Sequence, residues 1–257
     1  MPTIGIHDDF FELGGHSILV FQIISRLREE LKIELPIQYL FQAPTIDQLS
    51  KLIEGDLLKA TDTPSIVIPA KGQVQAPLSY MQQGLWFLDR LEGQNATYNL
   101  PLILRLTGSL NRDCLQKAIA SLIERHEALR TKFITVEGIG QQEIVPTAGI
   151  DLNFIDLREF APGERDLRVI QLAKEAAQLS FDLTQAPLIR AKLLYLADNS
   201  HVLLLTVHHI VADGWSMNML IEELWTFYRA FMAQTKAELT PLPIQYADFA
   251  LWQREYF

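Results

Sequence analysis

The chain has 257 residues, 49% of them hydrophobic, a net charge of −9 and a single cysteine, Cys114. That length accommodates a sizeable core in one large domain or two smaller ones. The acidic balance argues against nucleic acid or an anionic membrane as partner, and one cysteine excludes an internal disulfide.

Residues 1–56 read as short helices. "SILVFQIISRLREELKIEL" places Leu19, Ile23, Ile24, Leu27 and Leu31 at helical spacing, and Pro36 stops the pattern. "APTIDQLSKLIE" restarts it, with Thr45 as N-cap before Ile46, Leu49, Leu52 and Ile53. The stretch 57–76, rich in proline and small polar residues, reads as a linker before a second domain over 77–257. No apolar run spans a membrane and no signal peptide opens the chain, so a cytoplasmic location is expected.

From Leu78 the texture changes. "YNLPLILRLTG" reads as a strand and "NRDCLQKAIASLIERHEALRTKF" as a helix, with Leu115, Ile119, Leu122 and Ile123 on one face. "GIGQQEIV" suggests a hairpin region and "RDLRVIQLAKEAAQLSFDL" another helix. "LIRAKLLYLADNSHVLLLTVHHI" reads as two strands joined at Asp198-Asn199-Ser200, and "SMNMLIEELWTFYRAFMA" as a long helix. The run 202–207 is apolar on both faces, which suits a central strand covered on both sides in an α/β layer fold.

Two stretches carry chemistry. In "DDFFELGGHS", Gly14 and Gly15 permit a tight turn, and Ser17 opens a helix whose N-terminus favours an attached anion. In "LLLTVHHIVADGWS", side chains alternate along the strand, so His208 shares a face with Leu204 and Thr206 while His209 shares the other with Leu203, Leu205 and Val207. Unless the strand twists or ends between them, one histidine is then structural and the other available for chemistry. Asp213 lies past the strand end, where it either caps the next helix or pairs with an arginine.

"IHDDFFELGGHSILVFQIISRL" followed by "LPIQYLFQAPTIDQLS" resembles the peptidyl carrier domain of nonribosomal peptide synthetases. The resemblance implies 4′-phosphopantetheine on Ser17, presented by Asp9, Phe10, Phe11, Leu13, Gly14 and Gly15. It also implies a helix before this loop, so a partial carrier is expected over 1–56. "SYMQQGLWFL", "RHEALRTKF", "HHIVADGWS" and "YADFALWQREYF", in this order, resemble a condensation domain of the same synthetases. Met81 and Gly84 stand where that family more often has alanine and arginine. The implied fold is a chloramphenicol-acetyltransferase-like α/β lobe with a mixed sheet flanked by helices. The C-terminal lobe that completes such a domain is expected to lie outside this chain.

The resemblance gives His209 the active-site role, as base or by positioning the amine, and makes His208 structural. Asp213 is to hold the loop through an ion pair with Arg125 or Arg130, and Gly214 to keep the backbone close to the reacting groups. The implied reaction is attack of an acceptor aminoacyl amine on a donor thioester, for which an imidazole titrating near 6.5 is a suitable proton acceptor. The implied partners are an upstream adenylation domain, a downstream acceptor carrier domain and a phosphopantetheinyl transferase. The chain alone is expected to be inactive in condensation. "DGWS" fits joining of L-configured donor and acceptor.

Related readings share parts of this pattern: a CoA-dependent acyltransferase, an epimerisation domain, and a docking fragment without catalysis. The "GGHS" segment argues against the first and "DGWS" against the second. A heterocyclisation domain normally has aspartate at the first histidine position. Trp86, Phe87, Trp225, Phe227, Tyr228 and Trp252 read as packing residues, His126 as a surface or ion-paired one, and His16 as a position affecting carrier docking. No cluster has metal-ligand spacing, so no metal is expected.

Overall fold

The computed structural model describes residues 4–15, 17–31, 35, 38–57 and 74–256. The chain forms two compact units, Met1–Ile66 and Val67–Phe257.

The first unit is helical: α1 (Ser17–Leu31), α2 (Gln38–Gln42) and α3 (Ile46–Leu57). Val20, Ile24, Leu40, Leu49 and Ile53 form its core, with Phe10, Phe11, Ile23 and Leu27 packed against it. The expected stripe on α1 keeps Ile23, Ile24 and Leu27 but not its two ends. Val20 faces inward, while Leu19 and Leu31 face solvent. The Thr45 hydroxyl accepts from the Gln48 amide at 3.2 Å, the N-cap expected for α3. The loop before α1 is tied to the start of α3, with the Phe10 amide donating to Pro44 O and the Asp47 amide to Ile6 O.

The second unit is α/β. Its larger sheet runs through β2 (Asn99–Thr107), β7 (Ser200–His208), β6 (Ile189–Ala197) and β5 (Asn153–Asp156), in that spatial order. The β5–β6 pair is parallel and the other two antiparallel, so the sheet is mixed. Helices α5 (Arg112–Arg125) and α7 (Gly214–Ala233) cover one face, where Leu203, Leu205 and Val207 meet Ile119, Leu122 and Leu224. Helix α6 (Pro162–Gln178) covers the other, where Val202 and Leu204 meet Ala176 and Leu172. Strand β7 is thus apolar on both faces because both are covered.

A smaller antiparallel sheet joins β1 (Gln75–Pro77), β4 (Ile139–Ile144) and β3 (Thr131–Val136). Strand β1 lies at the end of the stretch that sequence reads as linker. Glu137 and Gly138 both have positive φ, as the two-residue turn between β3 and β4 requires. Helix α4 (Tyr80–Glu92) lies so close to β4 that a Cβ on Gly140 would sit 2.7 Å from Leu78 and 3.0 Å from the Trp86 ring. Helix α8 (Tyr246–Tyr256) follows α7.

One expected helix divides. The run from Asn111 to Phe133 is helical only to Arg125; a single 3-10 turn, Glu127–Arg130, then leads into β3. The reason is tertiary. The Leu129 carbonyl accepts from Leu188 and the Phe133 amide donates to Leu183 O, drawing this segment into non-local pairing. Phe87, expected to pack, is 58% exposed.

Candidate active site and carrier attachment site

Strand β7 ends at His208, so alternation does not by itself orient His209, which stands in the following turn. The turn is closed by three internal bonds. The Ile210 amide donates to His208 Nδ1 at 3.1 Å, the Val211 amide to the His208 carbonyl at 3.1 Å, and His209 Nδ1 lies 2.9 Å from the Ala212 carbonyl. A carbonyl only accepts, so Nδ1 of His209 carries the proton and the lone pair of the neutral ring resides on Nε2. Among the described residues nothing is bonded to Nε2, and His209 is half-buried. From outside the turn, the His209 amide donates to the Tyr98 carbonyl at 2.8 Å.

His208 is 2% exposed, between Tyr98 and edge-on Phe181, with ring centroids at 6.4 and 5.9 Å. Burial pushes its pKa down to about 4, with the neighbouring His209 adding a smaller effect of the same sign. Its Nδ1 accepts from Ile210, which requires the neutral ring. An imidazole that titrates near 6.5 unfolded and near 4 folded binds its proton more readily in the unfolded chain. Stability is therefore complete above about pH 6.5 and falls as pH drops through that window. Fully buried His201, whose ring nitrogens have no hydrogen-bond partner among the described residues and whose pKa burial also lowers, acts in the same sense. Between pH 7 and pH 5 the His208 contribution is about 2 kcal/mol. Urea unfolding at the two pH values should show a drop that shrinks by about that amount in His208→Asn; an unchanged drop would assign the acid sensitivity elsewhere.

Asp213 does not pair with either candidate arginine. It caps α7: its carboxylate accepts from the Ser216 amide at 2.8 Å and Ser216 Oγ accepts from the Asp213 amide, also at 2.8 Å. Arg125 binds Glu223 through Nε at 3.1 Å and the Thr240 carbonyl through its terminal nitrogen. Glu223 lies ten residues further along α7, about 15 Å from Asp213 at the helical rise, so Arg125 is held away from it. Arg130 donates to the Val145 carbonyl and to Glu127. Gly214 is the first residue of α7, and a Cβ there would meet nothing within 4 Å. No described residue therefore crowds the backbone at this glycine.

Sequence reasoning missed the residues that hold this turn from below. Ser79 and Gln82 form a capping box at the start of α4. The Ser79 hydroxyl lies 3.0 Å from the Tyr246 phenol on α8, whose pKa is raised by burial and further by the Asp213 carboxylate, against the opposing Ser79 bond. Glu223 was also missed; it joins Arg125 to His126, whose Nε2 lies 2.6 Å from Glu223 Oε2. The available signal was an acidic residue on the inward face of an otherwise apolar helix.

In the first unit, Ser17 is the first residue of α1; His16 lies outside the described residues. The preceding turn needs its glycines: Gly14 has φ +91°, and a Cβ on Gly15 would sit 2.4 Å from the Phe10 ring. Asp9 is engaged by the Phe11 and Glu12 amides, and the first turn of α1 carries no acidic residue. A first turn without acidic side chains fits a phosphodiester at this helix N-terminus. Among the described residues no group of acidic, histidine or cysteine side chains is arranged to hold a metal. No helix there is long and apolar enough to cross a membrane.

Residues 72–257 match the family model of the condensation domain. The chain belongs to the condensation-domain family. Residues 1–53 match the phosphopantetheine attachment site. The condensation domain of this chain has the chloramphenicol-acetyltransferase-like fold of its structural neighbours. It is similar to the X-domain from teicoplanin biosynthesis, at 33% identity and a TM-score of 0.65 over 74% of this chain and 40% of that one. The whole chain is 46% identical to a linear gramicidin synthase protein of Brevibacillus parabrevis, of which it spans 3%. It is 41% identical over 99% of its length to a dimodular nonribosomal peptide synthase of Bacillus subtilis, of which it spans 10%. The chain thus combines a carrier segment and a condensation-domain segment of the nonribosomal peptide synthetase kind.

Proposed function

We propose that this chain is the junction between two steps of a peptide assembly line, in which Ser17 carries 4′-phosphopantetheine and His209 serves amide formation. The observation that carries the second role is the bond from His209 Nδ1 to the Ala212 carbonyl, which leaves the lone pair on Nε2, unengaged among the described residues. The amine of an acceptor aminoacyl thioester attacks the carbonyl of a donor thioester. The C–N bond forms as the C–S bond breaks. The proton lost by the amine passes to Nε2 and on to the departing thiolate, so the imidazole ends as it began. Its fixed orientation also places the amine. Asp213 supports this by capping α7 directly after the turn, and His208 by remaining neutral and bonded to Ile210.

On Ser17, the attached arm supplies a thiol that holds an acyl group as a thioester. The chain's own contribution there is the glycine turn and a first turn of α1 without acidic residues, supported by Asp9 bonding within the loop. The upstream adenylation domain, the downstream carrier, the C-terminal condensation lobe and a phosphopantetheinyl transferase complete the reading, as does a cytoplasmic location. Incubation with CoA and a phosphopantetheinyl transferase should add the mass of one phosphopantetheine to this chain and none to Ser17→Ala. Equal gain in both would overturn Ser17. The intact synthetase should form an amide between loaded donor and acceptor carriers, whereas this chain alone should form none.

A further inference from the structure

The turn that carries His209 touches the rest of the unit at few polar points. Behind β7, two backbone contacts fix it: the His208 amide donates to Leu188 O and the His209 amide to Tyr98 O. Beyond His209, one side chain from outside the turn reaches it among the described residues: Gln82 Nε2 donates to the Ile210 carbonyl at 3.4 Å. Gln82 is 1% exposed. Its other amide hydrogen goes to Gln142 Oε1 at 3.1 Å, and its Oε1 accepts from the Ser79 amide at 3.0 Å. Gln142, equally buried, passes the chain on to the Pro77 carbonyl at 2.8 Å. Two buried amides thus link the cap of α4, strands β1 and β4, and the residue immediately after His209.

Burying a side-chain amide is unfavourable unless its hydrogen bonds are met, and an apolar residue would fill the same space without that requirement. The Ile210 side chain already sits in an apolar cluster with Leu78, Phe133 and Leu188, so packing does not call for a glutamine. What the amide adds is direction: it fixes the peptide plane between Ile210 and Val211, and with it the route of the chain to Ala212, whose carbonyl sets the His209 tautomer. We infer that Gln82 is a positioning residue for His209, holding the imidazole with Nε2 toward the reacting amine. This inference rests on the amide-forming role proposed for His209.

The test pairs Gln82→Met, which keeps the volume and loses all three bonds, with Gln82→Glu, which keeps the shape and the Ser79 bond but loses the donor. Two readouts are needed. In the intact synthetase, both variants should lower the rate of amide formation by about 10-fold to 100-fold, with carrier loading unchanged. In this chain labelled with 15N-histidine, the ring nitrogens of His209 should pass from one fixed tautomer to averaged signals. A rate within twofold of wild type, unchanged His209 signals, or failure of both variants to fold would each overturn the positioning role. His209→Ala is run alongside. If it is as active as wild type, the proposed role of His209 fails, while the ring-nitrogen readout still decides whether Gln82 orients it.

Discussion

In the intact synthetase, His209→Ala should lower the rate of amide formation by roughly 100-fold or more, the usual range for a lost proton-transfer group. The thermal midpoint should barely move. His209 is half-buried, the hydrogen bond its backbone amide donates to the Tyr98 carbonyl is independent of its side chain, and only the bond to Ala212 is lost. The opposite pattern is expected at His208. Its ring is buried between Tyr98 and Phe181 and accepts the Ile210 amide, so truncation leaves a cavity and an unpaired donor. Quench-flow measurement of the amide product, with calorimetry on each variant, separates the two. Undiminished product from His209→Ala would remove it from the mechanism.

Glu223→Ala should destabilise the condensation-domain unit by roughly 3–5 kcal/mol, because it removes one partner of a buried ionic cluster and strands the others. The Glu223 side chain is 9% exposed, Arg125 17% and His126 12%. Arg125 binds it through Nε and His126 through Nε2, so a single substitution removes their shared acceptor and leaves the guanidinium its bond to the Thr240 carbonyl. The cluster joins the C-terminal end of α5 to the middle of α7, the helix that begins at Gly214 directly after Asp213. Loss of stability should therefore also loosen the active-site turn. For a unit of this size the midpoint should fall by roughly 10 °C. A shift under about 2 °C, the low end for a 1 kcal/mol change, would show that water or rearrangement satisfies the Arg125 and His126 side chains.

The α/β character was legible because hydrophobic periodicity is local. The apolar run 202–207 suits a central strand covered on both faces, and β7 is one. The turn signal Asp198-Asn199-Ser200 lies where β6 turns into β7. What failed were the places where distant segments compete with local preference. Helical spacing continues through His126 to Phe133, yet the carbonyl of Leu129 and the amide of Phe133 are claimed by Leu188 and Leu183, and the chain becomes a strand. Likewise the pairing of Asp213 with an arginine was a matter of distance. Along the sequence Arg125 is a reasonable partner; in space Glu223 holds it about 15 Å further down α7.

The sequence by itself determined the family, the two-part order and the two stretches that carry chemistry, since motif identity and spacing survive without coordinates. Only the tertiary structure decided how His209 is used. Strand alternation put the two histidines on opposite faces, but β7 ends at His208, and the tautomer of His209 is set by a carbonyl in the turn beyond. Tertiary structure also brought Ser79, Gln82, Gln142 and Tyr246 beneath that turn, from positions up to 167 residues apart. Hydrogen bonds of that kind depend on which elements pack together, and packing is a property of the whole unit that no local pattern contains.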